Sequence, residues 1–214
     1  MPSYATVYTL RVETKAEAVV FDLGNVLVPW NPRNLYRKLF PGDAPGMERF
    51  LSGICTVPWN ETFDMGRPFA AGVAELTGRH PDKADLIRAY DTRWEEMLGE
   101  TIEENVRLME ELKSAGIRLY ALSNWPREKL PAVRRRPFYA LFDGAVISSE
   151  AGIKKPSPGI FTTLISRFNL KPERTVFIDD SLANADAAGK LGFISILYLD
   201  PASLRVELAK LGVL

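Results

Sequence analysis

Short, continuous apolar runs recur along this chain, and each stops at a polar group. Ala18, Val19, Val20 and Phe21 form the first, which ends in Asp22-Leu23-Gly24-Asn25. Ile117 to Leu122, apolar apart from Arg118, stops at Ser123-Asn124. Ala145 to Ile147 stops at Ser148-Ser149, and Thr175 to Ile178 at Asp179-Asp180. A fifth run, Ile194 to Leu199, is followed by Asp200. Runs of this length without alternation read as strands buried on both faces.

Helical stripes separate these runs. Ile102, Val106, Met109 and Leu112 lie on one face, with Gly116 as the stop. Ile160, Phe161, Leu164, Ile165 and Phe168 form a second stripe, and Asn184 to Leu191 a third, closed by Gly192. Strands alternating with helices predict an α/β fold, a Rossmann-like doubly wound parallel sheet of about five strands. Residues 31–99 break the alternation and hold no good strand. Leu35 to Phe40, Met47 to Ile54, Phe69 to Leu76, and the stripe Leu86, Ile87, Tyr90, Trp94, Met97 read as helices. The expected organisation is a core of residues 16–30 and 100–214, an inserted helical cap subdomain of residues 31–99, and an N-terminal extension of residues 1–15. In that extension Tyr8, Leu10 and Val12 alternate weakly, as an added edge strand or a loose tail would.

Composition narrows the function classes. The chain has 214 residues, with 27 basic and 27 acidic side chains. That balance argues against a general nucleic-acid binder. The one dense basic run, Arg134-Arg135-Arg136, reads as a solvated loop. One cysteine, Cys55, excludes an internal disulfide framework and a cysteine-based zinc cluster. Leu191 to Leu199, the longest uncharged apolar run, falls far short of a membrane span, and Met1 to Glu17 lacks the apolar centre of a leader. The expectation is a soluble, cytoplasmic protein with no nucleic-acid or membrane partner; the sequence gives no reading of oligomeric state.

In a parallel α/β sheet the C-terminal strand ends converge on one edge, where ligands bind. Asp22, Ser123, Asn124, Asp179 and Asp180 fall at such ends, and Lys155 follows the third strand. Three carboxylates at close range repel unless a cation sits among them. A hard, oxygen-seeking ion such as Mg²⁺ resolves the conflict. Lys155 and Ser123 then remain to hold an anion, with phosphate the natural choice. The plainer reading of Ser123, Asp180 and Ser181 is helix capping.

These residues sit in four motifs: Val20-Phe21-Asp22-Leu23-Gly24-Asn25-Val26-Leu27, Leu122-Ser123-Asn124-Trp125, Gly152-Ile153-Lys154-Lys155-Pro156 and Phe177-Ile178-Asp179-Asp180. In this order they resemble the haloacid dehalogenase superfamily, most closely the phosphatases similar to the N-terminal domain of soluble epoxide hydrolase. The resemblance implies a Mg²⁺-dependent phosphatase acting on a small phosphorylated metabolite, with sugar phosphates among the candidates. Asp22 would be the nucleophile, forming an aspartyl-phosphate. Ser123 and the backbone at Asn124 would bind phosphoryl oxygens. Lys155 would hold both the phosphate and Asp22, and Lys154 would be a surface charge. Asp22, Asp180 and the Gly24 carbonyl would bind the metal, with Asp179 as a further ligand or supporting from behind.

Gly24 departs from the pattern. Many phosphatases of the superfamily carry an acid–base Asp there, worth about 10²–10⁴-fold. Its loss implies slow turnover, a substrate with a good leaving group, or a cap residue or water in its place. Trp30 and Trp125 each follow a motif closely, and pocket lining competes with core packing for them. For Asp64 and Arg67 in the cap, substrate contact competes with the plainer reading, a salt bridge on the solvated surface. Two other functions compete: a 2-haloacid dehalogenase, which the Asp179-Asp180 pair disfavours, and a silent binding module, which the retained Asp22, Lys155 and Asp180 disfavour.

Overall fold

The computed structural model describes residues 16–214. The alternation at Tyr8, Leu10 and Val12, and the extension it belongs to, lie outside them. Five strands form one parallel sheet: β1 (Ala18–Phe21), β2 (Arg118–Ser123), β3 (Gly144–Ile147), β4 (Thr175–Asp179) and β5 (Ile194–Leu197), in the order β3-β2-β1-β4-β5. The strand order reverses beside β1, so the ends of β1, β2 and β4 are neighbours at the crevice where such sheets bind ligands.

Period-two alternation assigns the two faces of the sheet. Ala18 and Val20 pack with Phe177, Ile160, Phe161 and Leu164 on one side. Val19 and Phe21 join Leu119, Ile178, Met109 and Leu112 on the other. Both faces are dry, which is why the strands are apolar throughout.

Between β1 and β2 the chain runs through α1 (Arg33–Leu39), α2 (Ala44–Gly53), α3 (Val57–Asp64), α4 (Phe69–Arg79), α5 (Ala84–Thr92) and α6 (Glu103–Ser114). The two connections that flank α1–α5 lie side by side: Trp30 bridges Leu98, and Gly99 N–H donates to the Pro29 carbonyl at 2.8 Å. The remaining helices are α7 (Leu130–Arg134), α8 (Ser148–Ala151), α9 (Pro158–Phe168), α10 (Leu182–Lys190) and α11 (Pro201–Lys210). None of the described helices is long and apolar enough to cross a membrane.

Three sequence expectations are corrected here. Thr56 to Asp64, with no apolar stripe of its own, is a helix: the Thr56 hydroxyl accepts from Trp59 N–H, and Pro58 sits in the first turn. The fifth strand stops at Leu197, and Asp200 is the cap of α11, accepting from Ser203 N–H at 2.8 Å. The arginine run closes α7 instead of lying in a loop, and its side chains, exposed at Arg134 and Arg135, have partners. Arg134 pairs with Glu150 and Arg135 with Glu95, while Arg136 donates to the Gly99 carbonyl and Thr101.

One polar residue inside the core positions the loop after β1. Asn105 on α6 is fully buried and donates to the Val26 carbonyl at 2.6 Å and to the Tyr198 hydroxyl at 2.9 Å. Asn105→Ala would strand that carbonyl in the interior. We expect a loss of about 1–3 kcal/mol of stability, measurable by urea unfolding.

Candidate active site

The turn after β1 is tight and internally bonded. Val26 N–H donates to the Gly24 carbonyl at 2.7 Å, and Leu27 and Val28 N–H both return to the Leu23 carbonyl. Asn25 takes the left-handed conformation (φ 56°), which Asn tolerates better than most residues. Its side chain bridges two segments, donating to Asp180 at 3.0 Å and accepting from Trp30 N–H at 3.0 Å. Gly24 itself has ordinary φ, and a Cβ added there would meet nothing within 4 Å. Steric need therefore does not explain the glycine.

Behind this turn lies a buried ammonium. Lys155 Nζ contacts Asp179 at 2.6 Å, the Leu122 carbonyl at 2.8 Å and Asp22 Oδ1 at 3.0 Å. Burial alone would strip its proton; the two carboxylates outweigh that and hold its pKa above the ordinary lysine value. Leu23 N–H also donates to Asp22 Oδ1, at 2.7 Å. Oδ2 is left without a backbone or ammonium partner. Burial pushes the Asp22 carboxyl up to about 6; Lys155 opposes that shift, Asp179 and Asp180 add to it, and nearby Ser123 favours the anion.

The other strand-end residues divide their work. The Ser123 hydroxyl is buried beside Asp22 and has no hydrogen-bond partner among the described residues. The Asn124 side chain clamps the Lys155 backbone, accepting from its N–H at 2.8 Å and donating to its carbonyl at 3.0 Å. Only the Asn124 backbone is thus free for a ligand. Asp179 is engaged at both oxygens: Oδ1 accepts from Ser181 N–H and from Asn184, and Oδ2 from Lys155. Asp180 is exposed and keeps an oxygen open. Ser181 is the N-cap residue of α10, as the plainer reading expects, but its side chain makes no cap hydrogen bond, and Ser123 and Asp180 cap no helix. Carboxylate oxygens of Asp22, Asp179 and Asp180 lie within 4.8 Å of one another. One ammonium against three carboxylates leaves excess negative charge, and an all-oxygen donor set fits a hard divalent cation.

Above this floor is a cavity of about 210 Å³. Asp22, Gly24, Asn25, Asn124 and Asp180 border it from below, and Trp30, Trp94 and Trp125 from the sides. Its roof is one face of α3, where Val57, Asn60, Glu61 and Asp64 recur at helical spacing. The surface reading of Asp64 is corrected: it is only 9% exposed, and it is Arg67 that pairs on the outside, with Glu75. Burial pushes the Asp64 carboxyl up to about 7; Lys154 and Lys155 pull the other way, and Glu61 and Asp22 add to the rise. Lys154 reaches across to Glu61 on α3 at 2.7 Å.

Sequence reasoning reached Trp30 and Trp125 but left Trp94 in the core, and it gave Asn25 no task. It weighed Asp64 as a substrate contact but did not find α3 or the other residues of its cavity face. A helix whose inward stripe faces a polar cavity carries no apolar periodicity; Thr56 and Pro58 were the available signals.

The family model for haloacid dehalogenase-like hydrolases matches residues 16–192. The sesquiterpene phosphatase of Aspergillus oryzae is 24% identical over 205 residues, spanning 92% of this chain and 97% of its own. The phosphorylated carbohydrates phosphatase of Thermotoga maritima is 29% identical over 183 residues, 82% of each chain. A solved enzyme of the same family from Bacteroides thetaiotaomicron, a variant in complex with magnesium and inorganic phosphate, superposes with a TM-score of 0.68. It is 22% identical, covering 88% of this chain and 98% of its own.

Two stability effects follow from the charges. Lys155→Met leaves two buried carboxylates unpaired and should cost about 3–5 kcal/mol by denaturant unfolding. Asp64→Asn should do the reverse. A carboxyl whose folded pKa is raised contributes its stability below the unfolded value and loses it as pH climbs toward the folded one. In metal-free protein the advantage of Asp64→Asn should therefore grow between pH about 4 and about 7, by up to about 1.4 kcal/mol per unit, and then level off. Thermal melts across that range would show it.

Proposed function

Since the chain belongs to the haloacid dehalogenase-like hydrolases, we propose that it is a Mg²⁺-dependent phosphatase that hydrolyses a small phosphomonoester through an aspartyl-phosphate. The observation that carries this reading is the disposition of Asp22. One of its oxygens is pinned by Lys155 and Leu23 N–H, the other has no backbone or ammonium partner among the described residues, and the buried Ser123 hydroxyl lies near the carboxylate.

In this reading the phosphoryl group lies between the Ser123 hydroxyl, the Asn124 backbone and the Lys155 ammonium. Asp22 Oδ2 attacks phosphorus, the ester oxygen departs toward the roof, and water then releases phosphate from Asp22. Asp22, Asp180 and the Gly24 carbonyl hold Mg²⁺. Asp179, both of whose oxygens are engaged, supports it from behind through Lys155 and Ser181. The ion supplies charge compensation for the phosphoryl oxygens and the nucleophile. Residues 31–99 act as a cap that keeps bulk water from the site. The three indoles that line the cavity together with Asn60 and Glu61 suit the carbon and hydroxyl surfaces of a phosphorylated sugar. The carbohydrate phosphatase among the relatives supports that substrate class.

With Mg²⁺, phosphate should be released from an aryl phosphate and from sugar phosphates, and a chelator should abolish it. Asp22→Asn should lower kcat on the order of 10⁴-fold or more while leaving the melting curve cooperative. Halide release from a 2-haloacid without phosphate release would instead mark a dehalogenase. Ligand binding without turnover would mark a silent module.

A further inference from the structure

A phosphomonoester with an alkyl leaving group departs slowly unless a proton meets the departing oxygen. The water that attacks the aspartyl-phosphate must also give a proton up. No side chain at position 24 can do either. Four carboxyl groups border the cavity. Asp22 and Asp180 belong to its floor and have tasks in the phosphatase reading. Glu61 is paired with Lys154, and its side chain is 48% exposed. Asp64 alone is buried, unpaired with any cation and without a side-chain hydrogen bond among the described residues.

We propose that Asp64 is the general acid and base of the reaction, supplied from the roof in place of a floor residue beside Asp22. The inference rests on the phosphatase reading above. Three features hold Asp64 where this role needs it. First, its backbone is tied to the core: Ser148 Oγ donates to the Asp64 carbonyl at 2.6 Å and accepts from Trp125 N–H at 3.1 Å. The acid is thereby linked to the segment that carries Ser123. Second, the turn that follows is seated on the core. Gly66 has φ +92°, and a Cβ there would stand 3.2 Å from the Ser149 carbonyl, so the chain approaches as only glycine allows. Third, Asp64 is the last residue of α3, where the helix dipole disfavours an anion.

The groups around it set the balance of its two forms. Burial favours the neutral acid, with the Glu61 and Asp22 carboxylates, while Lys154 and Lys155 favour the anion; the Tyr90 hydroxyl on α5 donates to Asn60, one helical turn before Asp64. Near neutrality both forms are populated, as one group serving as acid and then as base requires.

The cycle balances. The Asp22 oxygen–phosphorus bond forms as the ester bond breaks, and the Asp64 proton passes to the leaving oxygen to give the alcohol. Asp64, now a carboxylate, takes a proton from water as that water attacks phosphorus. The Asp22–phosphorus bond breaks, phosphate leaves, and both carboxyl groups return to their starting state.

The test compares wild type, Asp64→Asn and Asp64→Glu, each with Mg²⁺, on a para-nitrophenyl ester and on glycerol phosphate. In single turnovers Asp64→Asn should lose about 10²–10⁴-fold on the glycerol ester, and phosphoenzyme formation from the aryl ester should change only a few-fold. Its pH–rate profile should lose a limb near neutrality that Asp64→Glu keeps. Adding Gly24→Asp to Asp64→Asn should restore part of the glycerol phosphate rate, because position 24 has open space. Asp64→Ser gives the same comparison if the amide perturbs folding. Equal losses on both esters, or an unchanged pH limb in Asp64→Asn, would overturn the assignment while leaving the phosphatase reading standing. A wild type inactive on every phosphomonoester would overturn both.

Discussion

A single ammonium, Lys155, is the constraint on which the centre of this protein depends. It is buried between Asp22 and Asp179, with the Leu122 carbonyl as its third partner. A lone charge in that position would not stay ionised. The three groups that keep it charged come from the ends of three adjacent strands, so they meet only when the sheet is in register. Phe21 stands beside Ala121 on one side and Ile178 on the other. A slip of one residue would turn Asp22 or Asp179 to the opposite face. Electrostatics and strand pairing therefore enforce each other here.

The roof obeys a different rule. α3 is held by Trp59 and Phe63, which are buried in the helical layer, and by the Ser148 tie to the Asp64 carbonyl. Its other face is free of packing duty and carries Asn60, Glu61 and Asp64 over the floor. Keeping an unpaired carboxyl buried costs stability. Proteins break local rules of this kind at functional sites more than elsewhere, which is why Asp64 stands out among the acidic residues. Ties from Glu128 to Phe69 N–H, Lys129 to Asp91 and Arg135 to Glu95 hold the same two layers together around the cavity.

The floor was legible from the sequence because strand-end chemistry is local. An apolar run followed by Asp, Ser-Asn or Asp-Asp states both the strand and the group at its tip. Lys155 was legible through its motif, although nothing near it in the chain shows that its partners are Asp22 and Asp179. The roof was not legible. α3 hides its periodicity because half of its inward surface is polar, and Asp64 reads as an ordinary surface acid until the Ser148 and Gly66 contacts bury it. The arginine run reads as exposed charge, as it is, but its partners Glu150, Glu95 and Gly99 are distant in the chain or belong to the backbone and could not be read from it.

What the sequence determined by itself, then, was the parallel α/β core, the helical character of the residues between β1 and α6, and the set of charged groups at the strand tips. These follow from hydrophobic periodicity and turn chemistry, which act over a few residues. Only the tertiary structure decided which oxygen of Asp22 stays free, that Asp179 is engaged at both oxygens while Asp180 keeps one open, and which carboxyl faces the floor from above. Those outcomes depend in large part on contacts between segments far apart in the chain, 84 residues for Ser148 and Asp64 and 155 for Asn25 and Asp180, and no local pattern encodes a contact of that kind.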